Sequence, residues 1–297
     1  MKISQRVRSW FQIDPENLQY SLVMRFCLGY LILVGIPLIF KYLKVWFEFD
    51  LRITETGDLL YLRIGLRDIV DLILTGIIFP LYAWKIYTSL KTELVITKKA
   101  DGQQEIPSIS VREFREMHNN FEPWDLFYLF NLFMYSMTVM AHITMNNIHG
   151  KAEEFYGSTL FSEVYFWDEY IGHLLIAIPI YCMLLTLWVN SIGLSSNIVL
   201  NKTQAVFLVI ISLGSGVGIA LSFVEGQCAV VLAFLNILFV GLLVFFRLKK
   251  GKEISKNPFQ AFILFFLVGF FVALVIWIQI SGVKPYYPYL FQFSELE

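Results

Sequence analysis

The chain has 297 residues, of which 57% are hydrophobic and 16% charged, and its mean hydropathy is +0.63. A soluble domain usually carries about 25% charged residues, so this composition argues against a soluble globular enzyme, a disordered chain or a disulfide scaffold. The net charge of −1 gives no basic character with which to attract nucleic acid. Membrane lipids are the expected partners, and the sequence predicts no oligomeric state.

Seven apolar stretches are each long enough to cross a bilayer, which needs about 20 residues of apolar helix. The predicted spans are Leu22–Phe40, Gly65–Trp84, Leu126–Met145, Tyr170–Val189, Ala205–Val224, Ala229–Phe246 and Phe259–Ile280. The second is the weakest, because Asp68 and Asp71 interrupt it. The sequence therefore predicts an all-α, polytopic integral membrane protein with seven transmembrane helices.

Basic residues predict the orientation of these spans. With seven spans, 15 Lys and Arg residues fall on the N-terminal side of the membrane and 6 on the opposite side. Basic loops stay cytoplasmic, so we expect the N-terminus inside and the C-terminus outside. Residues 1–19 would form an interfacial amphipathic segment, 20–282 the seven-helix domain with a cytoplasmic loop at 85–121, and 283–297 a short extracytoplasmic tail.

Ionisable residues in and beside these spans gather at one depth. A charge inside the bilayer costs about 2.5–3.5 kcal/mol on insertion scales, so such residues usually serve a function. Counting 1.5 Å per helical residue places the layer in the outer third of the membrane and at its boundary. Its members are Asp68, Asp71, His142, His149, Asp168, Glu169, His173 and Glu225. Their shared depth predicts a polar cavity that opens to the exterior.

Helical spacing selects a metal site within this layer. Glu169 and His173 are four residues apart and share one face of an α-helix, whereas Asp168, five residues from His173, fits that face less well. His142 lies on the preceding span. Together, His142, Glu169 and His173 predict a divalent metal site, most simply for Zn²⁺, with Fe or Mn as alternatives.

The other acids and the third histidine of the layer would support this metal. Glu225 or Asp168 would act as the general base. Asp68 and Asp71 would orient the ligating imidazoles or replace a ligand. His149 lies seven residues beyond His142 on the same helical face, so it is a further alternative ligand.

Two arginines of the second span would bind the substrate headgroup. Arg63, Arg67 and Asp71 follow one another at intervals of four residues, and a guanidinium matches a phosphate or carboxylate. Structural interpretations remain for each residue singly. This line would be an ion-pair ladder between helices, His142 a hydrogen-bonded interior residue, and Glu225 a boundary residue in water.

Glycines in the fifth span predict close helix packing. Gly214 and Gly218, followed by Ser222, form a small-residue stripe at intervals of four. Such stripes let a second helix approach within backbone distance. No strand precedes these glycines, so a phosphate-binding loop is not the expected interpretation.

The stretch from Trp167 to His173 (WDEYIGH), followed by an apolar run and a Gly-rich span that ends in Glu225, resembles the VanZ-like teicoplanin-resistance membrane proteins of bacteria. These proteins carry an Asp, a His one turn later, and a later helix that ends in Glu. Here the interval from Asp168 to His173 is one residue longer, and Glu169 fits the one-turn interval. The family resemblance implies a bacterial membrane protein.

Seven spans with interior histidines and acids are also similar to the alkaline ceramidase and adiponectin-receptor group of zinc lipid hydrolases. That group has a His pair on its last span, whereas the last span here has no His. What this similarity implies is the general chemistry, in which histidines on membrane helices hold a zinc ion that hydrolyses a lipid.

The leading hypothesis is a membrane-embedded, metal-dependent hydrolase that acts on a lipid or lipid-linked substrate at the outer leaflet. One alternative is a proton- or cation-coupled transporter that uses the same Asp, Glu and His layer. Another is a non-enzymatic lipid-binding scaffold or sensor. The one glycosylation sequon, at Asn201, lies on the predicted inner side, which suits a bacterial inner membrane.

Overall fold

The computed structural model describes residues 18–42, 48–50, 63–100, 122–152, 159–191, 200–225, 228–250 and 258–281, and they are almost entirely helical. In chain order they form α1 (Leu18–Tyr42), β1 (Glu48–Asp50), β2 (Arg63–Gly65), α2 (Leu66–Asp71), a first π-helix (Leu72–Ile78), α3 (Phe79–Ala100), α4 (Pro123–Ala152), α5 (Thr159–Tyr165), a second π-helix (Phe166–Gly172), α6 (His173–Ser191), α7 (Lys202–Glu225), α8 (Ala229–Lys250) and α9 (Pro258–Ser281).

Five stretches of these helices have the length and apolarity needed to cross a membrane, so the protein is a membrane protein. They are Asp68–Thr92, Pro123–Met145, Ser162–Ser191, Lys202–Leu221 and Pro258–Gln279. The apolar parts of α1 and α8 are shorter, at Tyr20–Leu33 and Val231–Leu242. Each of the seven predicted spans falls on helix apart from Gly65, which ends β2, whereas the crossing of the membrane by all seven and the orientation stay predictions.

The first part of the predicted cytoplasmic loop is helical, because α3 continues to Ala100. The short strands β1 and β2 pair antiparallel, with Glu48 opposite Gly65, immediately before α2 begins. The remainder of that loop, the predicted C-terminal tail and almost all of the predicted N-terminal segment lie outside the described residues.

Apolar side chains cover both the interior and the outside of the bundle. Large aromatic residues such as Trp188, Tyr128 and Phe270 are completely or almost completely buried. On the outward faces, Leu81 and Phe234 are each more than half exposed. A large apolar exterior is the mark of a membrane or partner-binding surface, because its contact with water is unfavourable. Burial and composition thus agree on a membrane bundle.

Helices α7 and α9 cross at glycines. A Cβ atom on Gly216 would overlap the carbonyl oxygen of Phe266, and one on Gly269 would overlap the carbonyl of Leu213. The two backbones are therefore in direct contact, as small residues allow in membranes. The predicted Gly214 and Gly218 stripe is wrong as the contact surface, since a Cβ on either residue would meet nothing within 4 Å.

Buried hydrogen bonds link helices at other levels of the bundle. The Tyr181 hydroxyl on α6 donates to Oδ1 of Asn236 on α8 at 2.9 Å. The Tyr87 hydroxyl on α3 donates to Oδ1 of Asp125 on α4 at 2.6 Å, and Lys91 lies 3.2 Å from the same oxygen. Because unpaired polar groups are costly in an apolar interior, these links select which helices become neighbours.

Candidate functional site

Helices α4 and α6 pack against each other and bring two histidines together. The ring centroids of His142, on α4, and His173, the first residue of α6, are 4.6 Å apart with an interplanar angle of 72°. The predicted pairing of these imidazoles is therefore present in the structure.

Asp168 completes this group from the second π-helix. Its Oδ1 lies 3.1 Å from Nδ1 of His142, and its side chain is fully buried while that of His142 is 18% exposed. This separation is a direct polar contact between the carboxylate and the imidazole. A carboxylate taken completely out of water needs such a partner. We call these three residues the His142–Asp168–His173 cluster.

The second π-helix explains why Asp168, five residues before His173, reaches the cluster. An α-helix places residues four apart on one face, which is why the sequence favoured Glu169 for this position. A π-helix is hydrogen-bonded from i to i+5, so each turn holds about one residue more than an α-helical turn. Residues five apart therefore come to nearly the same face, and the α-helical assumption was the source of the difference.

The lack of a side chain at Gly172 lets the imidazole of His142 pack against the second π-helix. A Cβ atom at residue 172 would lie 3.0 Å from Nδ1 of His142 and 3.2 Å from the carbonyl oxygen of Trp167. These distances are closer than ordinary nonbonded contact. The ring thus lies directly on backbone. Sequence reasoning missed this residue, although a Gly immediately before a His inside a span was its signal.

Aromatic side chains surround the cluster. The ring of Phe223, near the end of α7, lies edge-on to His173 with centroids 6.3 Å apart, and Phe223 is buried. Phe166 stacks on Tyr170 along the second π-helix, and Trp167 is more than half exposed. The cluster therefore has an apolar wall on the α7 side and an exposed aromatic residue beside it.

The remaining predicted ligands are described at the level of the backbone. Glu169 lies in the second π-helix, His149 in the last turns of α4, and Glu225 is the last residue of α7. Arg63 lies in β2 and Arg67 in α2. Their side chains are outside the described part of the structure, so their participation in the site stays a prediction.

The acids of the second span lie on a different helix from the cluster. Asp68 and Asp71 are half-buried in α2. Asp71 is a charged neighbour of the buried Tyr135 on α4. Tyr135 lies seven residues, or about 10 Å of helix, before His142 along α4. Asp71 thus belongs to a second polar position, adjacent to the cluster along α4.

The donor chemistry of the cluster suits a metal only in part. Among the side chains that the structure describes, no group of three or more His, Cys, Asp and Glu residues is arranged to hold a metal ion. Two imidazoles are adjacent, and Asp168 contacts one of them through Nδ1. A carboxylate in that position orients a ligating histidine and leaves the other ring nitrogen available. A third ligand would have to come from a side chain beyond the described ones.

Comparison of the chain with protein families, with curated proteins and with solved structures finds no match.

Proposed function

We propose that the protein is a membrane-embedded, metal-dependent hydrolase that acts on a lipid or lipid-linked substrate. The observation that carries this proposal is the fully buried carboxylate of Asp168, 3.1 Å from the His142 imidazole, beside the imidazole of His173. Ionisable residues are rare in membrane interiors and usually mark functional sites. Three of them, supplied by α4, the second π-helix and α6, form this cluster.

His142 and His173 would be the metal ligands. Zn²⁺ binds histidine nitrogen at about 2.0–2.1 Å, so two imidazoles on one ion have centroids on the order of 5 Å apart. The observed 4.6 Å is close to this separation. The third ligand would come from a side chain beyond the described ones, and Fe or Mn would be alternatives if more carboxylates take part. A bound ion would supply Lewis-acid activation of water.

Asp168 and Glu225 would have different roles in the reaction. Asp168, at Nδ1 of His142, would hold that ring in one orientation, and this role replaces the predicted choice between Asp168 and Glu225 as base. Glu225, at the end of the helix that brings Phe223 to His173, would accept the proton released by the attacking water. Water would add to the acyl or phosphoryl centre, the ester or amide bond would break, and the proton held by Glu225 would pass to the leaving oxygen or nitrogen.

Lipid is the proposed substrate because of where the cluster lies. The exposed Trp167 and the stacked Phe166 and Tyr170 occupy the same turn as Asp168, and aromatic residues concentrate at the bilayer boundary. With the N-terminus inside, the cluster would face the outer leaflet, in a bacterial inner membrane. Arg63 and Arg67 would meet the headgroup.

Incubation of the purified protein in vesicles made from a bacterial lipid extract tests this proposal, with mass spectrometry of the lipids as the readout. Wild type is expected to convert at least one lipid class, and His173→Ala and Asp168→Asn are expected to abolish conversion. His118→Ala, in the predicted cytoplasmic loop, is the matched control and should retain it. An unchanged lipid profile with wild type would contradict the proposal.

A proton- or cation-coupled transporter is the second candidate, favoured by a specific observation. Asp71, on α2, is a charged neighbour of Tyr135, and the cluster lies seven residues further along α4 at His142, so ionisable groups face α4 at two levels. Such chains relay protons in pumps and carriers. Proton-driven uptake in proteoliposomes that is lost in Asp71→Asn, without lipid conversion, would establish this candidate over the hydrolase.

A further inference from the structure

We infer that the second π-helix positions the cluster. Its wide turn accommodates the extra residue between Asp168 and His173, which in an α-helix would rotate Asp168 away from the histidines. The inference concerns the contact between Asp168 and His142. It rests on the same cluster as the proposed function, but on no step of the reaction.

The local geometry gives the reason. With 3.6 residues per turn, each residue of an α-helix advances by about 100°, so a residue five positions before His173 would lie roughly 140° away from it around the axis. In the structure Asp168 instead reaches His142, whose ring contacts His173. The segment Phe166–Gly172 is a π-helix over its whole length. Its extra residue per turn restores the common face.

The wide turn is confined to the segment that needs it. The backbone is α-helical in α5 before Phe166 and again in α6 from His173. The N–H of His173 donates to the carbonyl oxygen of Tyr170, three residues earlier, so the wide turn tightens where α6 begins. π-helical turns are rare, appear mostly as single turns inside α-helices, and occur frequently at functional sites. Here the wide turn coincides with the burial of the Asp168 carboxylate against the His142 imidazole.

Removal of one residue between Asp168 and His173 should make the π-helix unnecessary. Deletion of Glu169 leaves Asp168 four residues before His173, which is the spacing of a common face in an α-helix. The contact with His142 should then survive in α-helical form. Moving the carboxylate to residue 169 without shortening the segment should instead break the contact with His142. The double variant Asp168→Ala with Glu169→Asp also has an Asp four residues before His173, but in an unshortened turn.

The experiment is ¹⁵N NMR of the imidazole rings in metal-free, histidine-labelled protein in detergent. The four histidines give signals that are assigned by single His→Gln replacements. Asp168→Asn defines the Nδ1 shift of His142 when the carboxylate is lost. The Glu169 deletion and Glu169→Ala are both expected to keep the wild-type shift, whereas the double variant is expected to show the Asp168→Asn shift.

Two outcomes would overturn the inference. A wild-type His142 signal in the double variant would mean that the unshortened segment presents residue 169 to the histidines, as an α-helix would. The second is loss of the wild-type Nδ1 shift of His142 in a Glu169 deletion that is folded, as judged by gel filtration and thermal unfolding. That result would mean that the contact requires the π-helix itself and not only the correct spacing. If the deletion does not fold, the double variant and Glu169→Ala, both of native length, decide between the two registers. Failure of lipid conversion alone would leave these signals unchanged, so the two proposals fail separately.

Discussion

Gly172→Ala is expected to move His142 away from Asp168 while the helix stays folded. The added Cβ would lie 3.0 Å from Nδ1 of His142 and 3.2 Å from the carbonyl oxygen of Trp167. Nonbonded carbon contacts are most favourable at about 3.5–4.0 Å, so the ring must withdraw by about 0.5 Å. The carbonyl belongs to the helix backbone, and the imidazole is therefore the part that yields.

Two opposing effects set the change in the free energy of unfolding. Replacing a helical Gly by Ala stabilises a helix by about 1 kcal/mol, and overpacking a filled interior costs about 1–3 kcal/mol. The net expectation is a destabilisation of about 0–2 kcal/mol. Binding should suffer more, because the loss of a partner that orients a ligating histidine lowers metal affinity by about 10–100-fold.

Calorimetric titration with Zn²⁺, together with thermal unfolding in the same detergent, measures both quantities. Gly218→Ala is the matched control, since a Cβ on Gly218 would meet nothing within 4 Å. It should bind Zn²⁺ as wild type does and be at least as stable. If Gly172→Ala is indistinguishable from Gly218→Ala in both measurements, the imidazole does not depend on a glycine at this position.

Two further predictions concern the bundle around the site, and thermal or denaturant unfolding in detergent checks both. Gly216→Ala should destabilise by about 3 kcal/mol or more, because backbone at Phe266 leaves no room for a methyl group, and an effect as small as that of Gly218→Ala would contradict the crossing of α7 and α9. Tyr181→Phe should cost about 1–3 kcal/mol, since it leaves the buried amide of Asn236 without this hydroxyl; a stability equal to that of wild type would show that the hydrogen bond does not hold α8 to α6.

The positions of the helices and the pairing of His142 with His173 could be predicted from the sequence. Hydropathy sums over about 20 residues, so an isolated acid such as Asp71 does not hide a span. The depth of a residue in the membrane follows from its position along the helix, and it does not depend on which face of the helix the side chain occupies. Two histidines at equal depth on neighbouring spans are therefore placed near each other by the sequence alone.

Faces and contacts could not be predicted in the same way. The preference for Glu169 over Asp168 assumed one helical period, and the wider turn of a π-helix shifts the face after a few residues. The glycine at the α7 crossing is Gly216 rather than Gly214 or Gly218, because the partner helix selects the contact, and that choice depends on packing across the whole bundle.

Metal content of the purified protein tests the central claim most directly. Wild type, measured by elemental analysis after purification without chelator, is expected to contain one Zn, Fe or Mn per chain. His142→Ala and His173→Ala should each lose it, and His118→Ala should retain it. A folded wild-type protein that contains none of these metals, and that takes up no Zn²⁺ when it is added, would contradict the account of the His142–Asp168–His173 cluster as a metal-dependent site.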